Sequence, residues 1–390
     1  MPNTAQIVGW SHTKFGVSEQ VDLEGLLREA IPPALDHAGV TPDAVDGVFL
    51  GVYNNGFLPQ SFEAGLVGMA VPELRHAPVA RLESACATGS AALYSALDFV
   101  NAGRGRVALV VGAEKMTSIP AQDAGKLMVG GSYVPEEGDS SPGFAGIFSG
   151  IAQSYFDRYG DRSEELAMIA AKNHRNACDN PFAHLRKDLG VDFCNTVSEK
   201  NPYVAPPLRR TDCSLISDGA AVLVIADTEV ASGLKRSISV RAHTQFNDFM
   251  ALSRRDPTEF LGAEKAWRAT LDRAGLSLDD LDLVETHDCF TIAELIEYEA
   301  MGLAPRGEGH RVVREGIAQR GGRLPVNLSG GLKARGHPLG ATGVSMHVMA
   351  AMQLAGEAGN MQQEGARLAG VFNMGGAAVT NFATILERTR

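Results

Sequence analysis

No stretch of this 390-residue chain is apolar for long enough to cross a bilayer. Positive charge is also short. The 35 Lys and Arg stand against 46 Asp and Glu, a formal charge of −11, so the electrostatic footprint of a nucleic-acid or membrane-surface protein is missing. The five cysteines (86, 178, 194, 213 and 289) are odd in number and lack framework spacing. That excludes a disulfide scaffold and fits a reducing compartment. Residues 1–10 show no basic segment leading into a signal-like apolar core, and the last residues form no peroxisomal tripeptide. These absences predict a soluble, cytoplasmic protein with no nucleic acid and no membrane as partner.

Several chemical signatures are absent too. The G-x-x-x-x-G-K-[ST] order of a phosphate loop does not occur, and neither does the G-x-S-x-G turn of serine hydrolases. Gly103-Arg104-Gly105-Arg106 imitates a dinucleotide fingerprint, but it precedes a strand where the fingerprint must follow one. His174, Cys178 and His184 match no zinc spacing and have no evident fourth ligand, so no metal is expected.

What is present centres on Glu83-Ser84-Ala85-Cys86-Ala87-Thr88-Gly89-Ser90. Pro78–Leu82 has strand character, and Leu93, Ala96, Leu97 and Val100 recur at helical spacing. The segment reads as strand, tight turn and helix, with Cys86 at the helix start. Small neighbours leave room beside the sulfur, and a helix N-terminus favours an anion, so the thiol pKa should fall. A nucleophile is built this way, and a small buried hydrophobe would look the same. Both readings stand on this stretch alone.

The chain also repeats itself. Leu35–Asp46 (LDHAGVTPDAVD) resembles Leu271–Asp282 (LDRAGLSLDDLD), each a helix ending at Ala-Gly before an acidic turn and a strand. Ala87-Thr88-Gly89-Ser90 and Ala341-Thr342-Gly343-Val344-Ser345 each open a helix, and each helix is followed by an apolar strand, Val107–Gly112 or Ala369–Phe372. Two halves of alternating strands and helices follow from this. Between them, from Met116 to about Cys213, lies a Gly-, Ser- and Pro-rich stretch that turns helical from Ser149 to Asn176. An insertion of that length carries function more often than mere connection.

Three stretches of the second half carry chemistry. Glu285-Thr286-His287-Asp288-Cys289-Phe290-Thr291 follows the strand Leu281–Val284 and precedes a helix, Ile292 to Met301, where α/β folds place their sites. Asp288 or Thr291 could cap that helix, which leaves His287 and Cys289 unexplained. Asn327–Gly343 is glycine-rich, permits close approach to a ligand, and holds His337 before Pro338. Phe372-Asn373-Met374-Gly375-Gly376-Ala377 is either a tight turn or a source of backbone N–H groups for an oxyanion.

Ser84-Ala85-Cys86-Ala87-Thr88-Gly89-Ser90, His287-Asp288-Cys289-Phe290 and Gly336-His337-Pro338, in this order on a duplicated chain, resemble the thiolase superfamily, and most closely its sterol-carrier-protein-2 type. The resemblance covers essentially the whole chain. It implies a five-layered αβαβα fold of two similar halves with an inserted loop domain. The N-terminal half would comprise 1–116 and 213–240, the loop domain 117–212, and the C-terminal half 241–390. Conventional thiolases carry a second cysteine in a C-x-G motif, where this chain has Asn373-Met374-Gly375, and N-E-A-F where it has His287-Asp288-Cys289-Phe290. The acid/base cysteine would thus be relocated to Cys289.

The resemblance further implies an acyl-CoA C-acyltransferase that cleaves 3-oxoacyl-CoA with CoA, or runs the reverse Claisen condensation. Cys86 would be the nucleophile and His337 its base. Cys289 would protonate the substrate α-carbon, and His337 with His287 would bind the enolate. Backbone N–H groups of Cys86 and Gly375 would hold the other oxyanion. Phe290, Ser329 and Gly330 would line the pantetheine tunnel. Arg209 and Arg210 would meet the CoA phosphates or lie on the solvated surface. No cofactor is implied, coenzyme A being a substrate. A homodimer or homotetramer is implied, and an OB-fold partner protein is conceivable. The competing functions are acyl transfer to an aromatic acceptor within a multi-subunit complex, thiolase-like aldol cleavage, and a non-catalytic scaffold.

Overall fold

The computed structural model describes residues 5–389. Met1–Thr4 and Arg390, which enter the leader and targeting readings, lie outside the described residues. The strands are β1 (Gln6–His12), β2 (Gly47–Gly51), β3 (Val79–Leu82), β4 (Val107–Glu114), β5 (Tyr203–Ala205), β6 (Leu208–Arg209), β7 (Gly219–Ala226), β8 (Ile238–Asn247), β9 (Leu283–Glu285), β10 (Leu368–Gly375) and β11 (Thr380–Arg388). Nine of them form one sheet in the order β3-β2-β4-β7-β1-β8-β11-β10-β9, while β5 and β6 pair alone in the insertion.

The sheet is two copies of one pattern joined at a narrow seam. At the seam, the described pairs between β1 and β8 are Gln6–Ser239 and Ile7–Ile238. On one side β1·β7 and β7·β4 are antiparallel and β4·β2 is parallel. On the other β8·β11 and β11·β10 are antiparallel and β10·β9 is parallel. The helix Leu23–Ala38 covers the outer face of the first half-sheet, and Leu261–Ala274 that of the second. Both stop at a left-handed glycine, Gly39 (φ 71°) and Gly275 (φ 64°), which frees the chain to turn into a 3₁₀ turn and then β2 or β9. Between the half-sheets lie the two buried helices, Thr88–Asn101 and Leu339–Ala355. The layers therefore run αβαβα.

The buried helices cross so closely that only glycine fits. A Cβ on Gly89 would stand 2.6 Å from the Val344 nitrogen, and one on Gly343 would stand 2.3 Å from the Ser90 nitrogen. β4 and β7 are buried along their full length, consistent with their unbroken apolar runs. The insertion departs from expectation at one point. The stretch expected to be helical from Ser149 to Asn176 holds two helices, the first starting earlier, Phe144–Tyr159 and Ser163–Ala177. Gly160 (φ 87°) ends the first in a conformation that a continuing helix cannot use. Among the described residues no helix is long and apolar enough to cross a membrane.

Candidate active site

Cys86 sits at the apex of a strained turn. β3 ends at Leu82, the helix begins only at Thr88, and Ala85 between them is left-handed (φ 49°). Thr88 staples this turn. Its Oγ1 accepts from the Ser84 N–H at 2.8 Å and donates to the Ala85 carbonyl at 2.7 Å. Cys86 thus precedes the helix it was expected to open. The backbone N–H groups of Gly376 and of Cys86 itself point at the sulfur. The Cys86 thiol is pushed up to about 12, first by burial, with Glu114 and Glu83 adding to it and the two N–H groups opposing. The expected lowering by the helix N-terminus does not occur, because desolvation of a thiolate outweighs a partial dipole two residues away.

The backbone N–H that meets the Cys86 sulfur comes from Gly376, one residue after the Gly375 expected as oxyanion donor. Gly375 belongs to the ladder of β10 opposite Thr380, and a Cβ there would lie 2.3 Å from the Ser84 carbonyl. Its role in the structure is to let that strand press against the nucleophile turn. Gly376, left-handed at φ 62°, is the residue that lines the cavity and directs its N–H at Cys86.

Both candidate histidines converge on this sulfur. The Cys86 Sγ and one ring nitrogen from each of His287 and His337 lie within 4.8 Å of one another. The two rings stand edge to face, 5.1 Å apart at 83°. His337 Nδ1 lies 2.7 Å from Thr342 Oγ1, which donates to the Pro338 carbonyl at 2.9 Å and so accepts from Nδ1–H. That leaves Nε2 of His337 as a free lone pair. Burial, then the nearby Arg335 charge, drives the His337 pKa down to about 3. Burial, His337 and Arg335 together hold His287 well below the usual range. Neither Nε2 has a hydrogen-bond partner among the described residues. Asn373 bridges His287 and Cys86, with Nδ2 2.8 Å from His287 Nδ1 and 3.2 Å from the Cys86 carbonyl.

The His287–Phe290 loop is held by charges instead of caps. Asp288 does not cap its own helix. Its carboxylate accepts from the Leu332 and Lys333 N–H groups at 2.6 and 3.2 Å and from Asn173 Nδ2 at 2.7 Å, locking this loop to the glycine-rich one. Thr291 donates to Asp212 at 2.9 Å. Asn327 accepts from the Thr286 N–H at 2.8 Å and donates to Glu294 at 3.0 Å. Lys172 from the insertion pairs with Glu294 at 2.8 Å, both fully buried. Residues Lys172, Asn173, Glu294 and Gly376 are parts of the site that the sequence reading did not identify.

The cavity over Cys86 has a volume of about 620 Å³ and is mostly apolar. Cys86, Cys289, His337, Phe290 and Gly376 form its floor, and residues 121–148 and 204–216 of the insertion and its return supply most of the remaining wall. Phe290 stacks on Phe148 at 4.4 Å, tying floor to wall. Burial, then the negative charges that Cys86 and Glu297 carry when ionised, push the Cys289 thiol far above its ordinary range. Ser329 and Gly330 are elsewhere, contrary to expectation. Ser329 donates to Glu285 at 2.5 Å and accepts from Arg335 at 2.6 Å, and Gly330 packs on Ala177. Their loop is consumed in carrying Arg335 and His337. Arg209 is also withdrawn, buried against Asp212 at 2.8 Å, whereas Arg210 does line the cavity.

Comparison with known proteins bears on the family and the fold. The family profile "Thiolase, N-terminal domain" matches residues 5–229, and "Thiolase C-terminal domain-like" matches residues 244–388. An acetyl-CoA acetyltransferase of Methanothermobacter thermautotrophicus is 35% identical over 385 residues, 98% of this chain and 99% of that protein. Sterol carrier protein 2 of Oryctolagus cuniculus is 31% identical over 405 residues, 96% of this chain and 70% of that protein. Among solved structures, one titled "Ltp2-ChsH2(DUF35) aldolase" superposes with a TM-score of 0.85 at 22% identity, covering 100% of this chain and 99% of that one.

Proposed function

Because this chain belongs to the thiolase family, with relatives of the sterol-carrier-protein-2 type, we propose that it is an acyl-CoA C-acyltransferase working through an acyl-Cys86 intermediate. The observation that carries the reading is the convergence of Cys86, His287 and His337 within 4.8 Å, with both Nε2 atoms unpartnered.

In thiolysis, His337 Nε2 takes the Cys86 proton as the sulfur attacks C3 of a 3-oxoacyl-CoA. The two are neutral at rest, so transfer and attack proceed together. The C3 oxyanion meets the N–H groups of Cys86 and Gly376. The C2–C3 bond then breaks and leaves the acyl group on sulfur and an enolate on the departing acyl-CoA. Its oxygen is held by the Nε2–H of His287 and the protonated Nε2 of His337. Cys289 delivers its proton to C2, and acetyl-CoA or propionyl-CoA leaves. A second CoA gives its thiol proton to the Cys289 thiolate and attacks the acyl group. Cys86 departs and recovers its proton from His337. Reversed, the same steps are a Claisen condensation.

CoA enters as substrate, and no bound cofactor takes part. The five free cysteines support a cytoplasmic setting. A homodimer or homotetramer completes the reading. An OB-fold partner protein belongs to the reading because the structural neighbour Ltp2 is paired with a DUF35 component, ChsH2. That neighbour also favours a second reading, aldol cleavage, which needs no acyl-cysteine.

Incubation with acetyl-CoA or acetoacetyl-CoA followed by peptide mass spectrometry separates the readings. An acyl adduct on Cys86 is expected. No adduct, together with no thiolysis across a chain-length series, overturns the thiolase reading.

A further inference from the structure

We infer that Asn373 is a positioning residue that selects the tautomer of His287, keeping the proton on Nε2 so that the ring is a fixed donor beside the Cys86 sulfur. The inference rests on the thiolase reading only for what that donor does, which is to receive the enolate oxygen.

The argument starts at a group with no choice. A backbone carbonyl can only accept, and that of Cys86 lies 3.2 Å from one end of the Asn373 amide. That end must be the NH₂. The other end, Oδ1, accepts from Ser90 Oγ at 2.7 Å. Turning the amide over would set its oxygen against the Cys86 carbonyl and abandon that bond. With the amide fixed, its second N–H points at His287 Nδ1, 2.8 Å away. Nδ1 must then be the bare nitrogen, and a neutral imidazole carries its one proton on Nε2. Nε2 has no hydrogen-bond partner among the described residues. An unused donor in a residue with 0% exposure is costly, and that cost is retained at the nucleophile, where a substrate oxygen would relieve it.

The charged and titratable groups facing His287 are His337, Arg335, Cys86 and Glu297, the last accepting the His287 backbone N–H. None of them supplies a partner to either ring nitrogen. The tautomer is therefore set from the Asn373 side alone. His337, bonded through Nδ1–H to Thr342, holds the opposite tautomer. The site so contains one bare Nε2 to take a proton and one protonated Nε2 to hold an oxygen, made from two chemically identical side chains.

The direct test is long-range ¹H–¹⁵N spectroscopy on the full protein labelled with ¹⁵N-histidine, with His287 assigned by its loss in His287→Gln. Protonated Nε2 and bare Nδ1 are expected, and the reverse overturns the inference whether or not any variant folds. The second test is Asn373→Asp. A carboxylate only accepts, so it draws the proton to Nδ1 and strips Nε2. Turnover in thiolysis should fall about 10²–10³-fold at pH 8, the usual loss for one oxyanion donor. It should regain about tenfold or more relative to wild type towards pH 6, as His287 beside a carboxylate takes a second proton and Nε2–H returns. Asn373→Ala should lose turnover without that recovery. A ratio of Asn373→Asp to wild type that stays constant with pH overturns the inference, because a packing defect has no reason to heal in acid. Failure of the thiolase reading looks different. Cys86 would then form no acyl adduct in the wild-type protein while the ring spectrum still reported Nε2–H.

Discussion

In the N-terminal half, β3 closes the outer edge of the sheet with four residues, each exposed or half-exposed. The corresponding edge of the C-terminal half, beyond β9, is a single bridge between Val284 and Val326. Where the first half has a strand, the second has buried charge, with Lys172, Asn173, Asp288, Glu294 and Asn327 joined in one network. The two edges serve different loads. The first half presents one nucleophile on a turn held by its own Thr88. The second presents Cys289, His287 and His337 on loops outside the strand ladders, and the Lys172–Glu294 ion pair and the Asn173 amide, both reaching in from the insertion, help to fix them. A duplicated fold can thus divide a site between its halves while supporting each part by different physics.

The largest expected effect comes from removing what only the second half supplies. Cys289→Ala should cut both thiolysis and condensation by about 10³-fold, within the usual range for a lost general acid or base. It should still allow Cys86 to be acylated by acetyl-CoA, though more slowly, since the departing CoA can leave as a thiolate and take its proton from water where the C2 carbanion cannot. Full activity in this variant would refute the division of labour. Mass spectrometry of Cys86 alongside a turnover assay reads both parts.

Next come the supports themselves. Lys172→Met leaves Glu294 charged and buried without its partner, and should cost about 3–5 kcal/mol in chemical denaturation. Thr88→Ala deletes the staple of the first half and leaves the Ser84 N–H unpaired, for about 1–3 kcal/mol. The comparison is sharpened by kinetics. Lys172→Met should lower turnover with little change in how fast Cys86 accepts an acyl group, whereas Thr88→Ala should slow acylation itself. If the smaller loss of stability belonged to Lys172→Met, the charge network would not be carrying the second edge.

Much of this was legible in the sequence because it is written locally. The repeat at Leu35–Asp46 and Leu271–Asp282 marks two helix ends whose left-handed glycines the structure shows, and the buried helices were paired by their Thr-Gly steps. The helical character of the insertion was legible and the break at Gly160 was not, since one glycine within a helical pattern does not announce a break. The site was legible in its reactive residues and less so in its supports. Gly375 and Gly376 are indistinguishable in a Gly-Gly pair, and only backbone direction separates a strand residue from the donor after it. Ser329 looks like any loop serine until Glu285 claims it. The buried network had one visible signal, glutamates at 294, 297 and 299 on a helix whose other residues are mostly apolar, but the partners of Glu294 lie some 120 residues away in the insertion. The thiol pKa was read in the wrong direction because a helix N-terminus can be inferred from sequence and a desolvated pocket cannot.

The smallest effect concerns that last point and compares the residues at the mouths of the two buried helices. Cys86 is pushed up to about 12 and His337 down to about 3, so between those values the thiol keeps its proton and the imidazole takes none. The sign of the pH dependence follows. With the thiol protonated throughout, the reactive thiolate fraction grows about tenfold for each unit that pH rises, and Cys86 alkylation by iodoacetamide should climb with that slope from pH 6 to 9. A preformed thiolate–imidazolium pair would alkylate at a flat rate over the same range. Thiolysis itself should stay nearly flat, because there the proton passes inside the pair from Cys86 to His337 and none is exchanged with solvent. His337→Gln separates the two behaviours, since it should abolish the flat turnover while leaving the alkylation slope in place. A flat alkylation profile in the wild-type protein would mean that the second half's histidine already holds the first half's proton at rest, and that the two helix mouths are coupled before substrate arrives.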